Sequence, residues 1–196
     1  MKTIKNDHRS RYTREVAQKT LLRLLCEKPL NKITVIELCE EANLNRGTFY
    51  NHFFDIYDVF ESIENKFFDE FKAKLDAIKV YDLSSPFIQE IIMHIYLNRD
   101  ISRLVVGSIN NNSFLNRIIQ FMRDKYIKEW SENNHHIPRE LIEQVFSYSV
   151  NGVLGLIAEW INSGMKQSPD SIAEIVCKLN KVVTDGCFKN YKPKSE

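Results

Sequence analysis

Between residues 56 and 78, apolar side chains return every three or four positions: Ile56, Val59, Phe60, Ile63, Phe67, Phe68, Phe71, Leu75 and Ile78. A helix has 3.6 residues per turn, so this run forms one continuous apolar stripe about six turns long. No strand, with its period of two, can place these side chains on one face. The chain must therefore contain a long helix beginning near Asp55. With only 6 Gly and 5 Pro in 196 residues, it also lacks the tight turns that a sandwich or barrel needs. An all-α fold is predicted.

The punctuation divides the rest. Tyr12, Val16, Ala17, Leu21, Leu24 and Leu25 predict an amphipathic helix over 11–27, with Pro29 closing it. Thr34 and Glu37 have the spacing of a capping box, in which each side chain takes the other's amide. That helix runs to about Ala42, because Asn43 tolerates the left-handed conformation that ends a helix. Asn45 caps a further short helix, whose Phe49 and Phe53 share a buried face. Beyond the long helix, the segment YDLSSP at 81–86 is a break, with Ser84 or Ser85 capping the next helix. Helices follow over 86–98, 100–109, 113–133, 138–165 and 169–189, separated by polar or turn-rich stretches. Two domains result, 1–54 and 55–196, the connecting helix starting at about 55.

Charge is polarised along the chain. Residues 1–32 hold nine Lys or Arg against three acids, a net of +6, which leaves −5 for the rest of a chain whose total is +1. A basic end on a nearly neutral protein suits a phosphate-facing surface. No run of about 18 uncharged apolar residues is evident, and no apolar stretch follows the N-terminal charges, so no membrane partner and a cytoplasmic location are expected. The four cysteines, 26, 39, 177 and 187, form no CxxC pair, which suits a reducing compartment. A Gly-rich phosphate loop, GxSxG and HExxH are all missing from the sequence, so no cofactor, metal or enzymatic activity is expected. His135 and His136 would bind a metal only with partners elsewhere in the chain.

With Phe49 and Phe53 inward, the short helix offers Arg46, Gly47, Thr48, Tyr50, Asn51 and His52 outward. Two short helices joined by a tight turn, the second with a polar face, form the helix-turn-helix that enters the DNA major groove. A plain three-helix bundle with solvated polar residues has the same pattern; the basic end favours DNA. Arg46 suits guanine O6 and N7, and Asn51 suits adenine N6 and N7. Tyr50 and Thr48 suit phosphates or a thymine methyl, and Gly47 lets a sugar-phosphate strand come close. His52 fits either a phosphate or a structural hydrogen bond closing the helix.

The stretch from Thr34 to Phe53, TVIELCEEANLNRGTFYNHF, resembles the DNA-binding signature of the TetR family, T-V-x-x-I-A-x-x-A-G-V-S-x-G-T-F-Y-x-H-F. The resemblance covers about the first 60 residues. It implies an all-helical homodimer with an N-terminal DNA-binding domain, a divergent ligand-binding and dimerisation domain, and usually repression relieved by a small molecule. It also implies a phosphate contact for Thr34. Asn43 and Asn45 stand where the family has Gly and Ser, conservative exchanges on conformational and capping grounds. Ile56 stands where the family usually has a phosphate-binding Lys; the basic arm of Lys2, Lys5, Arg9 and Arg11 compensates, or affinity is lower.

The C-terminal part carries two further expectations. Val153, Leu156, Ile157 and Trp160, with Gly152 and Gly155 among them, are apolar around more than one stripe. With Ile172, Ile175, Leu179 and Val183 they are read as a hairpin that pairs with its twin in a homodimer. The other reading is burial within one subunit. An apolar pocket for a small-molecule inducer is assigned by elimination to Phe87, Ile91, His94 and Phe114, together with Phe121, Tyr126, Phe146 and Tyr148. Expected partners are thus a double-stranded DNA operator, an inducer and a second copy. A competing reading is a helical interaction module or co-activator with no operator of its own.

Overall fold

The computed structural model describes residues 2–76, 78, 85–100, 102, 113–189 and 191, and all of their side chains except those of residues 2–9, 85 and 113. Among these residues the fold is all-α, with eight α-helices and no strand. Most of the helix expected over 100–109, all but residues 100 and 102, and the cap at Ser84 lie outside the described residues.

Helix α1 spans Lys2–Leu25 and buries Thr13, Ala17, Leu21 and Leu24, spaced four, four and three residues apart. It starts well before position 11, because its first turns have no apolar stripe for periodicity to register. Tyr12, expected inside, is 66% exposed; Thr13 occupies the buried line one helical step away. A 3₁₀ turn, Leu30–Lys32, leads to α2, Val35–Glu41. The Thr34 hydroxyl accepts from the Glu37 amide at 3.2 Å, one half of the expected capping box. The other half is not formed: Lys28 Nζ pairs with the Glu37 carboxylate instead. Asn43 has φ +50°, and the Leu44 amide reaches back to the Cys39 carbonyl at 2.8 Å, closing α2 with a Schellman turn. Helix α3, Arg46–Tyr50, follows, then α4, Ile56–Asp76.

The remaining helices are α5, Ser85–Leu97; α6, Ser113–Asn133; α7, Arg139–Asn162; and α8, Pro169–Thr184. The Ser168 hydroxyl accepts from the Ser171 amide, and Pro169 occupies the first turn of α8. A π-helical turn, Asp185–Lys189, continues α8 and buries Phe188.

The chain divides into two compact units, Met1–Asp69 and Glu70–Glu196, and the division falls within α4. In the first unit α1, α2 and α3 pack around Ala17, Leu21, Leu38, Phe49 and Phe53, with Ile56 and Val59 of α4 also fully buried. In the second, α5 packs on α8, α6 on α7 and α7 on α8. Its core includes Leu75, Ile92, Tyr126, Trp130, Ile142 and Val176.

Candidate nucleic-acid interface

Helix α3 has only five residues and is held from both sides. At its start, Asn45 Oδ1 accepts from the Gly47 amide at 2.8 Å. A Cβ at Gly47 would stand 3.2 Å from that same oxygen, so glycine here leaves room for the cap as well as for a passing strand. On its inner side Phe49 is 0% and Phe53 3% exposed, their ring centres 5.7 Å apart. Tyr50 meets the Phe49 ring edge-on at 5.4 Å and is otherwise half out in solvent.

Of the residues expected to face DNA, Arg46, Gly47, Thr48 and Tyr50 lie on this one short element, Asn51 and His52 follow it directly, and Thr34 lies apart from it. Arg46, Gly47, Tyr50 and Asn51 are exposed, and Thr48 is half-buried. Thr34 is exposed at the start of α2, its hydroxyl engaged by the Glu37 amide. His52 is half-buried, its Nδ1 lying 3.5 Å from Ser10 Oγ, the outer limit of a hydrogen bond. Behind Arg46, Cys39 is buried, which pushes its thiol pKa up, while the Arg46 guanidinium pulls it partly back.

Three further features belong to this unit. Ile56 is core, 4% exposed. The start of α4 is closed by its own carboxylates: Asp55 Oδ1 accepts from the Asp58 amide at 2.9 Å, and Asp58 Oδ2 from the Phe54 amide at 2.8 Å. Finally, the Arg14 guanidinium lies 5.8 Å above the centre of the Phe53 ring. The first two follow from local spacing, Asp55 to Asp58 being a cap pattern; the third depends on how α1 meets α3.

In the second unit the expected ligand residues separate. Phe87, Ile91, His94, Phe114, Tyr126 and Phe146 are buried, Phe121 is half-buried, and Tyr148 is 70% exposed, away from any interior site. Tyr126 stacks on Trp130 at 5.5 Å and meets the Phe146 ring at a tilt, 5.2 Å between centres. Its buried hydroxyl has no hydrogen-bond partner among the described residues, and burial holds its pKa above the ordinary tyrosine range. An open cleft of about 640 Å³ is lined by Phe121 together with charged side chains, among them Asp76, Asp124, Lys125 and Glu129. Of the expected ligand residues, only Phe121 reaches it.

The expected interface residues separate as well. Ile157, Trp160 and Ile172 belong to the subunit's own core, at 6%, 2% and 6% exposure. Val153, Leu156 and Val183 are half-buried, and Ile175 and Leu179 are exposed. With Val182, 72% exposed, Ile175 and Leu179 form an uncovered stripe on α8 at helical spacing. On α7 Tyr148, Gly152 and Gly155 are exposed at helical spacing, with open space where either glycine's Cβ would be. Helix α7 has no uninterrupted apolar run, yet by length and average composition it is long and apolar enough to cross a bilayer. Among the described residues it alone has an 18-residue window of that length and composition, 22% of it buried. Its small polar residues, Ser147, Ser149 and Asn151, hide this in a count of uninterrupted apolar residues.

Comparison with known proteins agrees with this architecture. A TetR-type family model, "Transcriptional regulator C-terminal region", matches residues 82–181, just over half of the chain. An "uncharacterized HTH-type transcriptional regulator" of Haemophilus influenzae is 31% identical over 68 residues, 35% of each protein, so the chain spans about a third of that relative's length. The fold is similar to that of the fatty acid degradation regulator FadR from Bacillus halodurans: TM-score 0.67, 12% identity, covering 86% of this chain and 94% of that one. It is also similar to a TetR-family transcriptional regulator from Syntrophomonas wolfei: TM-score 0.63, 14% identity, covering 88% and 95%. The dihydroxyacetone kinase operon activator DhaS has a TM-score of 0.59 at 15% identity, over 87% of this chain and 94% of its own. On the family match and the all-helical architecture together, this chain belongs to the TetR family of transcriptional regulators.

Proposed function

We propose that the protein is a homodimeric repressor that inserts α3 of each subunit into the major groove of an operator and is released by a small apolar or aromatic molecule. The observation that carries this is the exposed edge of Arg46, Gly47, Tyr50 and Asn51 on a helix fixed by the Asn45 cap and two buried phenylalanines. Side chains on so short and so constrained an element are positioned before they meet DNA, which lowers the cost of ordering them. Arg46 reads guanine, Asn51 reads adenine, and Thr34, Thr48, Tyr50 and His52 hold backbone phosphates.

Dimerisation is supported by two observations, the exposed apolar stripe of Ile175, Leu179 and Val182 on α8 and the open glycine positions 152 and 155 on α7. A second copy suits these exposed residues better than lipid does, because Gln144 and Ser147 are exposed on α7 and would set polar side chains in hydrocarbon. A ligand inside the second unit is supported by its aromatic interior and the buried Tyr126 hydroxyl, a polar handle of the kind that orients an apolar molecule. A regulator of fatty acid degradation and an operon activator share the fold, which supports a role in small-molecule metabolism. A protein acting on DNA in this way resides in the cytoplasm.

Binding to fragments of the protein's own promoter region tests the reading. We expect a specific complex that weakens steeply with salt, and loss of sequence preference in Arg46→Ala. Candidate inducers should weaken the complex through differential affinity for the DNA-bound and released forms. Absence of any preferred sequence would favour the interaction-module reading, and equal DNA affinity with every candidate would remove the switch.

A further inference from the structure

The end of α3 is the part of the proposed groove-binding surface where the protein's own charges work against a phosphate. Its last carbonyls carry the negative end of the helix. The next amides, which could have received an anion, are already taken by the Asp55 and Asp58 carboxylates, each adding negative charge. Ile56, between them, is buried and apolar. A duplex that receives Arg46 and Asn51 must nevertheless run a phosphate strand past this end.

We propose that Arg14 of α1 is the phosphate-binding residue at this end, held in place by the ring of Phe53. Ser10 and Arg14 are one helical turn apart on α1 and meet successive residues at the close of α3: Ser10 Oγ lies 3.5 Å from His52 Nδ1, and the Arg14 guanidinium 5.8 Å from the Phe53 ring centre. Phe53 is 3% exposed, so the ring is a fixed platform. A guanidinium resting on an aromatic face keeps its N–H edge free, and that planar fork matches two phosphate oxygens.

Ion pairing separates Arg14 from most of its neighbours. Arg11 lies 3.9 Å from Glu15, Arg23 bridges Glu27 at 3.3 Å and Glu41 at 2.6 Å, and Lys28 pairs with Glu37. Among the arginines of this unit whose side chains are described, Arg14 and Arg46 are those with no carboxylate within ion-pair distance. Arg46 is assigned to bases; Arg14 is exposed, unneutralised and placed where the surface otherwise repels a phosphate.

The inference rests on the DNA-binding reading, and one experiment distinguishes their failures. Affinity of the full chain for its promoter fragment is measured against salt for the wild type, Arg14→Gln, Arg14→Lys and Arg46→Ala. We expect Arg14→Gln to bind roughly ten-fold more weakly. The slope of log K on log[salt] should shrink by about one, the loss of one phosphate contact, with sequence preference unchanged. Arg14→Lys should keep most of the slope. Wild-type slope and affinity in Arg14→Gln, with Arg46→Ala losing preference as expected, would overturn the Arg14 assignment alone. If the wild type shows no preferred sequence, both readings fall. Circular dichroism checks that each variant is folded, and Arg14→Met, which keeps the stem over the ring, replaces Arg14→Gln if that variant melts.

Discussion

Asn45 performs two tasks with one oxygen. Its Oδ1 satisfies the Gly47 amide, an orphan donor of the first helical turn, and in doing so fixes the direction in which α3 leaves the turn. Asn43, two residues earlier, holds φ +50°, which its short polar side chain tolerates at little cost. Between them these asparagines set the angle from α2 to α3. Asn45→Ala should therefore lower the stability of the first unit by about 1 kcal/mol, read from urea unfolding. Asn45→Ser, which restores an acceptor of similar reach, should recover most of it. Equal stability of all three proteins would mean that the cap contributes nothing.

At the scale of elements, α3 is far too short to be helical alone, since an isolated helix needs roughly 12–15 residues to be even marginal in water. Its helicity is supplied by Phe49 and Phe53 in the core. Phe49→Ala should cost about 3–5 kcal/mol and abolish DNA binding. Both tryptophans, Trp130 and Trp160, lie in the second unit, so the two units can be followed separately. We expect the circular dichroism transition of Phe49→Ala to acquire an early phase while the tryptophan fluorescence midpoint stays in place; a shared downward shift would show that the units unfold as one. These elements were legible in the sequence because their determinants are local: Thr34 and Asn45 meet partners two or three residues on, and Phe49 and Phe53 differ by one turn. What escaped depends on distant chain. Lys28 taking the Glu37 carboxylate, Arg14 settling on Phe53, and Trp160 and Ile172 turning inward are set by how helices meet, which spacing within one helix does not record. Tyr12 and Tyr148 mislead for a related reason: an aromatic residue near an apolar stripe is not thereby part of it.

For the whole molecule, two features face outward and call for cover: polar side chains on α3, and an apolar stripe on α8. A stripe of Ile175, Leu179 and Val182 left in water is what a face shared between copies looks like in one copy. Leu179→Lys combined with Val182→Glu should leave the fold intact, because both residues are exposed, yet shift the protein to monomer in sedimentation velocity. DNA affinity should fall with it, since each monomer engages one half-site. A double variant that sediments like the wild type would place the interface elsewhere.

Ile56 carries a last consequence. At 4% exposure, it leaves no room for an ammonium group without stranding a charge in the core, a cost larger than one surface phosphate contact returns. Descendants of this sequence that evolve a firmer or looser hold on their operator are thus steered away from that position and toward the solvent-facing edge of the first helix, where a change of charge disturbs no packing.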